Sequence, residues 1–153
     1  LRAAGSAMFW APNFSLGANV FWRVAELAAS LVAKLPGFDV HVVETHHAAK
    51  LDAPSGTAAE LARRAEAALG RAVPVTSVRV GSVPGTHELL LDGLYEQLRV
   101  EHVARDRRVF AEGALLAAAW LAGAWGAGRR GIFTMDDLLD APLVRSTPAE
   151  ERA

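Results

Sequence analysis

The sequence predicts an α+β domain in which helices cover one face of a mixed β-sheet; an α/β arrangement is the alternative. Three observations predict it. Apolar patterns follow one another as strand, helix, strand, helix, several strands, then helix, an order that suits a sheet covered on one side. Two runs, "FDVHVVET" and "VPVTSVRVG", are rich in β-branched residues and read as strands. Asp92-Gly93, inside "HELLLDGLYEQLRVEHV", marks a β-hairpin.

The elements follow in order. "SAMFWAP" reads as a short buried strand stopped by Pro12. Ser15 is placed to cap a helix whose apolar positions Val20, Val24, Leu27, Ala28, Leu31 and Leu35 recur at helical spacing. Pro36-Gly37 ends it, and the strand "FDVHVVET" runs directly into His46. His46 to Pro54 is loop. Pro54 favours extended backbone before it, and Ser55 can cap the next helix. The stripe Ala58, Leu61, Ala62, Ala65, Ala68 and Leu69 defines that helix, and Gly70 closes it. The second strand and the hairpin come next. A long buried helix then spans about Ala111 to Trp125, "MDDLL" makes a short last helix, and the polar tail from Pro142 is expected to be loose.

Composition narrows the function. The 153 residues suffice for one ordinary domain, and with 52% apolar and 22% charged residues the chain reads as globular. A net charge of -1 argues against nucleic acid or an anionic membrane surface as partner. The absence of cysteine excludes disulfides, thiolate zinc sites and a cysteine nucleophile, and fits a cytoplasmic location. The alanine-rich run around 113–127 is too weakly apolar for a membrane span. "LRAAGSAMFWAPNF" lacks the basic start and long apolar centre of a signal peptide, and the leucine at position 1 suggests a processed or incomplete chain.

The chemistry concentrates in "ETHHAAKLDAPSGTA", Glu44 to Ala58. His46 stands at a strand end, where a rigid element can aim a general acid or base. His47 adjoins it, and Lys50 adds a fixed cation or a second acid. Gly56 and Thr57 open a helix, whose free N–H groups attract anions. Together they suit an acidic small molecule that receives a proton. Singly, each has a plainer reading: a surface histidine, a solvated lysine, an ordinary helix entry. A metal site lacks a third nearby histidine or cysteine, although His41, Glu44 and Asp52 keep the possibility open. Ser55 lacks the glycine pattern of a hydrolase elbow.

This stretch resembles the signature of the dihydrodipicolinate reductase family of diaminopimelate and lysine synthesis. The resemblance extends to "WAPNFSLGANVFWRVAELAA", "VRVGSVPGTHELLLDG", "LRVEHVARDRRVFAEGALLAAAWL" and "GIFTMDDLL", from Trp10 to Leu139. It implies the fold of that family's C-terminal domain, with remnants of a Rossmann-type cofactor domain at both ends. Residues 1–14 would be a remnant of the cofactor domain and hinge. Residues 15–129 would bind substrate and oligomerise, and 130–153 would return to the cofactor domain and end in the loose tail. It implies hydride transfer from NADPH or NADH to a cyclic dicarboxylate, giving tetrahydrodipicolinate. His46 and Lys50 would then be catalytic. His47, Gly56 and Thr57 would bind substrate, and Ala11, Pro12, Asn13 and Phe14 would border the nicotinamide. No metal is implied, and a homo-oligomer, typically a tetramer through the sheet, is. Arg79, His87, His102 and Arg107 also match the family and are read as supporting the fold.

The sequence departs from the family in places. "GSAMFWAP" is too short for a nucleotide-binding half and has no Gly-x-Gly-x-x-Gly. Glu88 stands where the family commonly has threonine, and the segment between Gly70 and Arg79 is short. A chain of this kind is expected to turn over poorly alone. The competing reading is a non-catalytic binding or assembly module that keeps only the sheet.

Overall fold

A computed structural model describes residues 5–141. The expected loose tail from Pro142 and the first four residues lie outside them. The elements are β1 (Ala7–Phe9), α1 (Leu16–Val32), β2 (Asp39–His46), α2 (Gly56–Leu69) and β3 (Val75–Arg79), followed by β4 (Thr86–Asp92), β5 (Gln97–Val103), α3 (Arg108–Gly126), β6 (Gly131–Phe133) and α4 (Met135–Leu139). β3, β2, β4 and β5 form a four-stranded mixed sheet in that order, with β2 parallel to β3 and the other pairs antiparallel. β1 and β6 pair in parallel as a separate two-stranded layer.

Alternation along β2 and β4 sets the core. Val40, Val42, Glu44 and His46 point inward from β2, and His87, Leu89 and Leu91 from β4. α1 and α2 pack on each other and on this face, and Trp22, Leu61, Leu89 and Leu91 are almost wholly buried there. Burying side chains of this size stabilises the fold by roughly 1.5–3 kcal/mol each. Both helices start as the sequence predicts: the Ser15 and Ser55 hydroxyls accept hydrogen bonds from the Ala18 and Ala58 N–H groups. The α2 stripe is also as expected, with Ala58, Leu61, Ala62 and Ala65 buried and Ala68 and Leu69 packed beside them.

Several expectations fail in instructive ways. The apolar positions that recur at helical spacing in the sequence lie largely on the open face of α1: Val20, Val24, Leu27, Leu31 and Leu35 are 47–60% exposed. A second stripe, Ala18, Phe21, Trp22, Ala25, Ala29 and Val32, turns to the sheet instead. The helix is apolar on two sides, and the aromatic pair fills more of the core. α3 is not a buried helix. It begins three residues earlier than expected and leaves Leu115 and Leu116 open, because the layer beneath it is only two strands wide. β1 is not fully buried either, with Met8 and the adjoining Trp10 open to solvent. The hairpin turns through a four-residue loop, in which the Gly93 N–H bonds the Glu96 carbonyl, so Asp92-Gly93 starts the turn without forming all of it.

Two features fix the layers to each other. Arg23 of α1 reaches Asp136 and Asp140 at 2.6–3.1 Å, tying α4 to the helical layer. At Gly113 of α3 an added Cβ would lie 1.7 Å from the Phe14 carbonyl oxygen, so only glycine permits this approach. The helix thereby presses on the segment that leads from β1 into α1.

Candidate active site

The register of the sheet assembles the site at one end of its covered face. Val75, Val42, Leu89 and Val100 lie side by side across β3, β2, β4 and β5. One inward step along, the corresponding row is Ser77, Glu44, His87 and His102. The next pair is Arg79 and His46. Apolar packing therefore gives way to ionisable groups within about 7 Å of strand.

His46, the last residue of β2, is buried and hydrogen-bonds a Glu44 carboxylate oxygen through Nδ1. Glu44 is wholly buried and also meets Arg79 Nη2 at 2.7 Å and the Ser55 N–H at 3.3 Å. Burial pulls the Glu44 carboxyl upward, but hydrogen bonds from Arg79, Ser77 and His46 outweigh it and hold the pKa at about 2. Burial pushes the His46 imidazole below its ordinary range, with the Glu44 carboxylate opposing. His87 stands edge-on to His46, ring centroids 5.0 Å apart, and shares a hydrogen bond with the Ser55 hydroxyl at 3.2 Å. Burial, then the neighbouring histidines, push His87 down to about 4, so it is neutral near pH 7. Burial also lowers His102, which lies behind it and stacks on Phe21.

Beyond His46 the loop turns, with the Lys50 N–H on the His47 carbonyl. Lys50 Nζ contacts Asp52 at 2.8 Å. The start of α2 is pinned from two sides: the Trp22 indole N–H bonds the Thr57 carbonyl at 3.1 Å, and the Asn13 amide donates to the Thr57 hydroxyl at 3.1 Å. Asn19 in turn holds the Asn13 carbonyl at 2.9 Å. The Gly56 and Thr57 N–H groups, at the first turn, have no intrahelical acceptor.

These parts share one cavity of about 460 Å³. His46, His47, Lys50, Gly56 and Thr57 line it, and so do Pro12, Asn13 and Phe14. Of the site residues expected from the sequence, Ala11 is not on its wall. Sequence reasoning missed Trp22, Pro84 and Phe110, which close the wall from α1, the β3–β4 loop and α3. Arg107, read above as supporting the fold, is exposed and also lines the cavity. Its signals were the family match and its position just before the α3 helix. Arg79 and His87 do act within the fold, as partners of Glu44 and Ser55.

Ligand atoms of Glu44, His46 and His87 lie within 4.8 Å of one another, the spacing of a metal site. The Glu44 oxygens already bond Arg79, His46 and the Ser55 amide. The set therefore fits a hydrogen-bonded network better than an ion. "GAGRRG", Gly126 to Gly131, has the spacing of a dinucleotide fingerprint but joins a helix to a strand, the reverse of the order that motif needs. Among the described residues no helix is long and apolar enough to cross a membrane.

Comparison with known proteins agrees with the fold. Residues 17–139 match the family model described as "Dihydrodipicolinate reductase, C-terminus". The chain is 36% identical over 143 residues to 4-hydroxy-tetrahydrodipicolinate reductase of Methanosarcina mazei, covering 84% of this chain and 52% of that protein. It is 41% identical over 146 residues to the Gluconobacter oxydans protein of the same name, covering 84% and 56%. The chain thus spans about half the length of the curated relatives it matches. The dipicolinate-bound dihydrodipicolinate reductase from Paenisporosarcina sp. TG-14 has the same fold, with TM-score 0.69 and 23% identity, over 86% of this chain and 54% of that one. With the family model covering most of its length, this chain belongs to the dihydrodipicolinate reductase family and carries that family's C-terminal domain.

Proposed function

We propose that this chain is the substrate-binding part of a 4-hydroxy-tetrahydrodipicolinate reductase, which reduces a cyclic dicarboxylate to tetrahydrodipicolinate with NADPH or NADH. The observation that carries the reading is the single cavity joining His46, His47 and Lys50 to the open amides of Gly56 and Thr57. The amides and the Thr57 hydroxyl would hold a carboxylate of the substrate. Lys50 and His47 add the positive charge and hydrogen-bond donors that a doubly negative ring needs. His46 and Lys50 are the groups placed to deliver a proton as negative charge develops on the ring.

Pro12, Asn13 and Phe14 would border the nicotinamide end of the cofactor, where the flat Phe14 and Pro12 surfaces suit an aromatic ring. The reduced nicotinamide supplies hydride chemistry when bound. The chain's own part is to bind, orient and protonate. The same reading makes residues 1–14 and 130–153 belong to the cofactor layer and 15–129 the substrate domain. It places the protein in the cytoplasm. It also makes it a homotetramer through the uncovered sheet face, where Val78 and Val103 are open. The rival reading, a non-catalytic module, gives no reason for the intact cluster around His46.

Calorimetric titration of the chain with dipicolinate tests the binding half. Saturable binding is expected, weakened roughly tenfold or more by Thr57→Val or Lys50→Met, each of which removes one charge-assisted or hydrogen-bonding contact. Turnover of the whole enzyme tests the chemical half: His46→Gln should lower kcat by about 10²–10⁴-fold with substrate affinity little changed. Absence of binding, or unaltered kcat, would discard the assignment.

A further inference from the structure

The role given to His46 depends on which ring nitrogen carries a proton, and the structure addresses that through a neighbour. Four groups hold the Glu44 carboxylate: the Arg79 guanidinium and the Ser77 side chain from β3, the Ser55 amide at the mouth of α2, and His46 Nδ1 on its own strand. Arg79 is itself fixed, since the same Nη2 donates to the Asp52 carbonyl at 2.6 Å. The ring of His46 has little freedom to turn. His87 stands edge-on to it, and a Cβ on Gly85 would come within 3.0 Å of Nε2. Gly85 has φ of +153°, a backbone that side-chain-bearing residues rarely adopt.

We propose that Glu44 is the positioning residue of this site: anchored by Arg79, its carboxylate fixes the proton of His46 on Nδ1 and leaves Nε2 as the atom that exchanges a proton with the ligand. The inference rests on the proposed function. A carboxylate has no proton to give, so Nδ1 must donate to it in the neutral ring as well as in the cation. In the cation, the Nε2–H bond breaks as the proton passes to the ligand, and the ring returns to its neutral Nδ1–H form. Glu44 stays negative throughout. The other charged or titratable groups around His46 are Lys50 from the loop, Arg79 from β3 and His87 from β4. Lys50 and Arg79 disfavour the cationic ring, His87 is neutral near pH 7, and Glu44 is the group that favours the charge.

A buried Glu–Arg pair could serve stability alone, so the test reads the ring itself. Nitrogen-15 spectra of the labelled wild-type chain above pH 7.5 should show neutral His46 as the Nδ1–H tautomer. Glu44→Gln should shift that tautomer toward Nε2–H and move the His46 titration to lower pH. In the whole enzyme Glu44→Gln should lower kcat roughly tenfold to a hundredfold with KM within about twofold, since what is lost is alignment rather than binding. Glu44→Asp should restore part of the loss. An Nε2–H tautomer in the wild type overturns the proposal even if no variant folds. So does a folded Glu44→Gln variant with unchanged titration and kcat. Such a failure would leave the proposed function standing, whereas an inert His46→Gln substitution would bring down both.

Discussion

Two neighbouring rows of the same sheet do opposite work. Val75, Val42, Leu89 and Val100 meet α1 and α2 and hold the domain together. Ser77, Glu44, His87 and His102 occupy the same face one step along and bring polar groups, with the Glu44 charge among them, into the interior. An apolar row stabilises by burial whatever the pH. A polar row persists only where each group finds a partner, and its contribution changes with protonation. The difference shows how one strand, β2, can be scaffold at Val40 and Val42 and instrument at Glu44 and His46.

The largest effect should come from the apolar row. Leu89→Ala should cost about 2–5 kcal/mol in urea unfolding, from lost burial plus the cavity left behind. A loss below about 1 kcal/mol would show that the site end, not this row, holds the helices down. Next in size, the polar row should make stability pH-dependent. The His87 pKa is about 4 in the fold against 6.5 ordinarily. Above 6.5 the ring is neutral in both states and its full contribution is present. Between 6.5 and 4 the unfolded chain takes up a proton that the fold refuses, so stability falls. Glu44, depressed to about 2 from 4.5, continues the loss as pH drops through that lower window. Unfolding free energies measured from pH 8 to 3 check this, and a flat profile between 6.5 and 4 would erase the contrast between the rows. The smallest effect should come from the open stripe of α1: in the monomer, Leu27→Gln should stay within about 0.5 kcal/mol, because Leu27 is 60% exposed.

That the loop residues share one cavity was legible because they are contiguous. His46, His47, Lys50, Gly56 and Thr57 sit within a dozen residues, and the strand and helix that present them have plain periodicity and caps. The partners of His46 were not, since Arg79 and His87 join Glu44 only through strand register, which no local pattern states. Which face of α1 is buried was not legible for a different reason. Its two apolar stripes both satisfy helical spacing, so periodicity could not choose between Val24 and Leu27 on one side and Trp22 and Ala25 on the other. α3 misled because an alanine-rich composition says a helix can pack closely without saying that a broad partner exists. Arg107 and Phe110 join the cavity through the crossing of α3 over the β1–α1 segment, a tertiary fact.

That crossing has a consequence of its own. At Gly113 a missing methyl group sets the gauge between α3 and the Phe14 carbonyl, and Phe14 and Asn13 are the near wall of the cavity. The width of the chamber is thus metered from a position that never touches its contents.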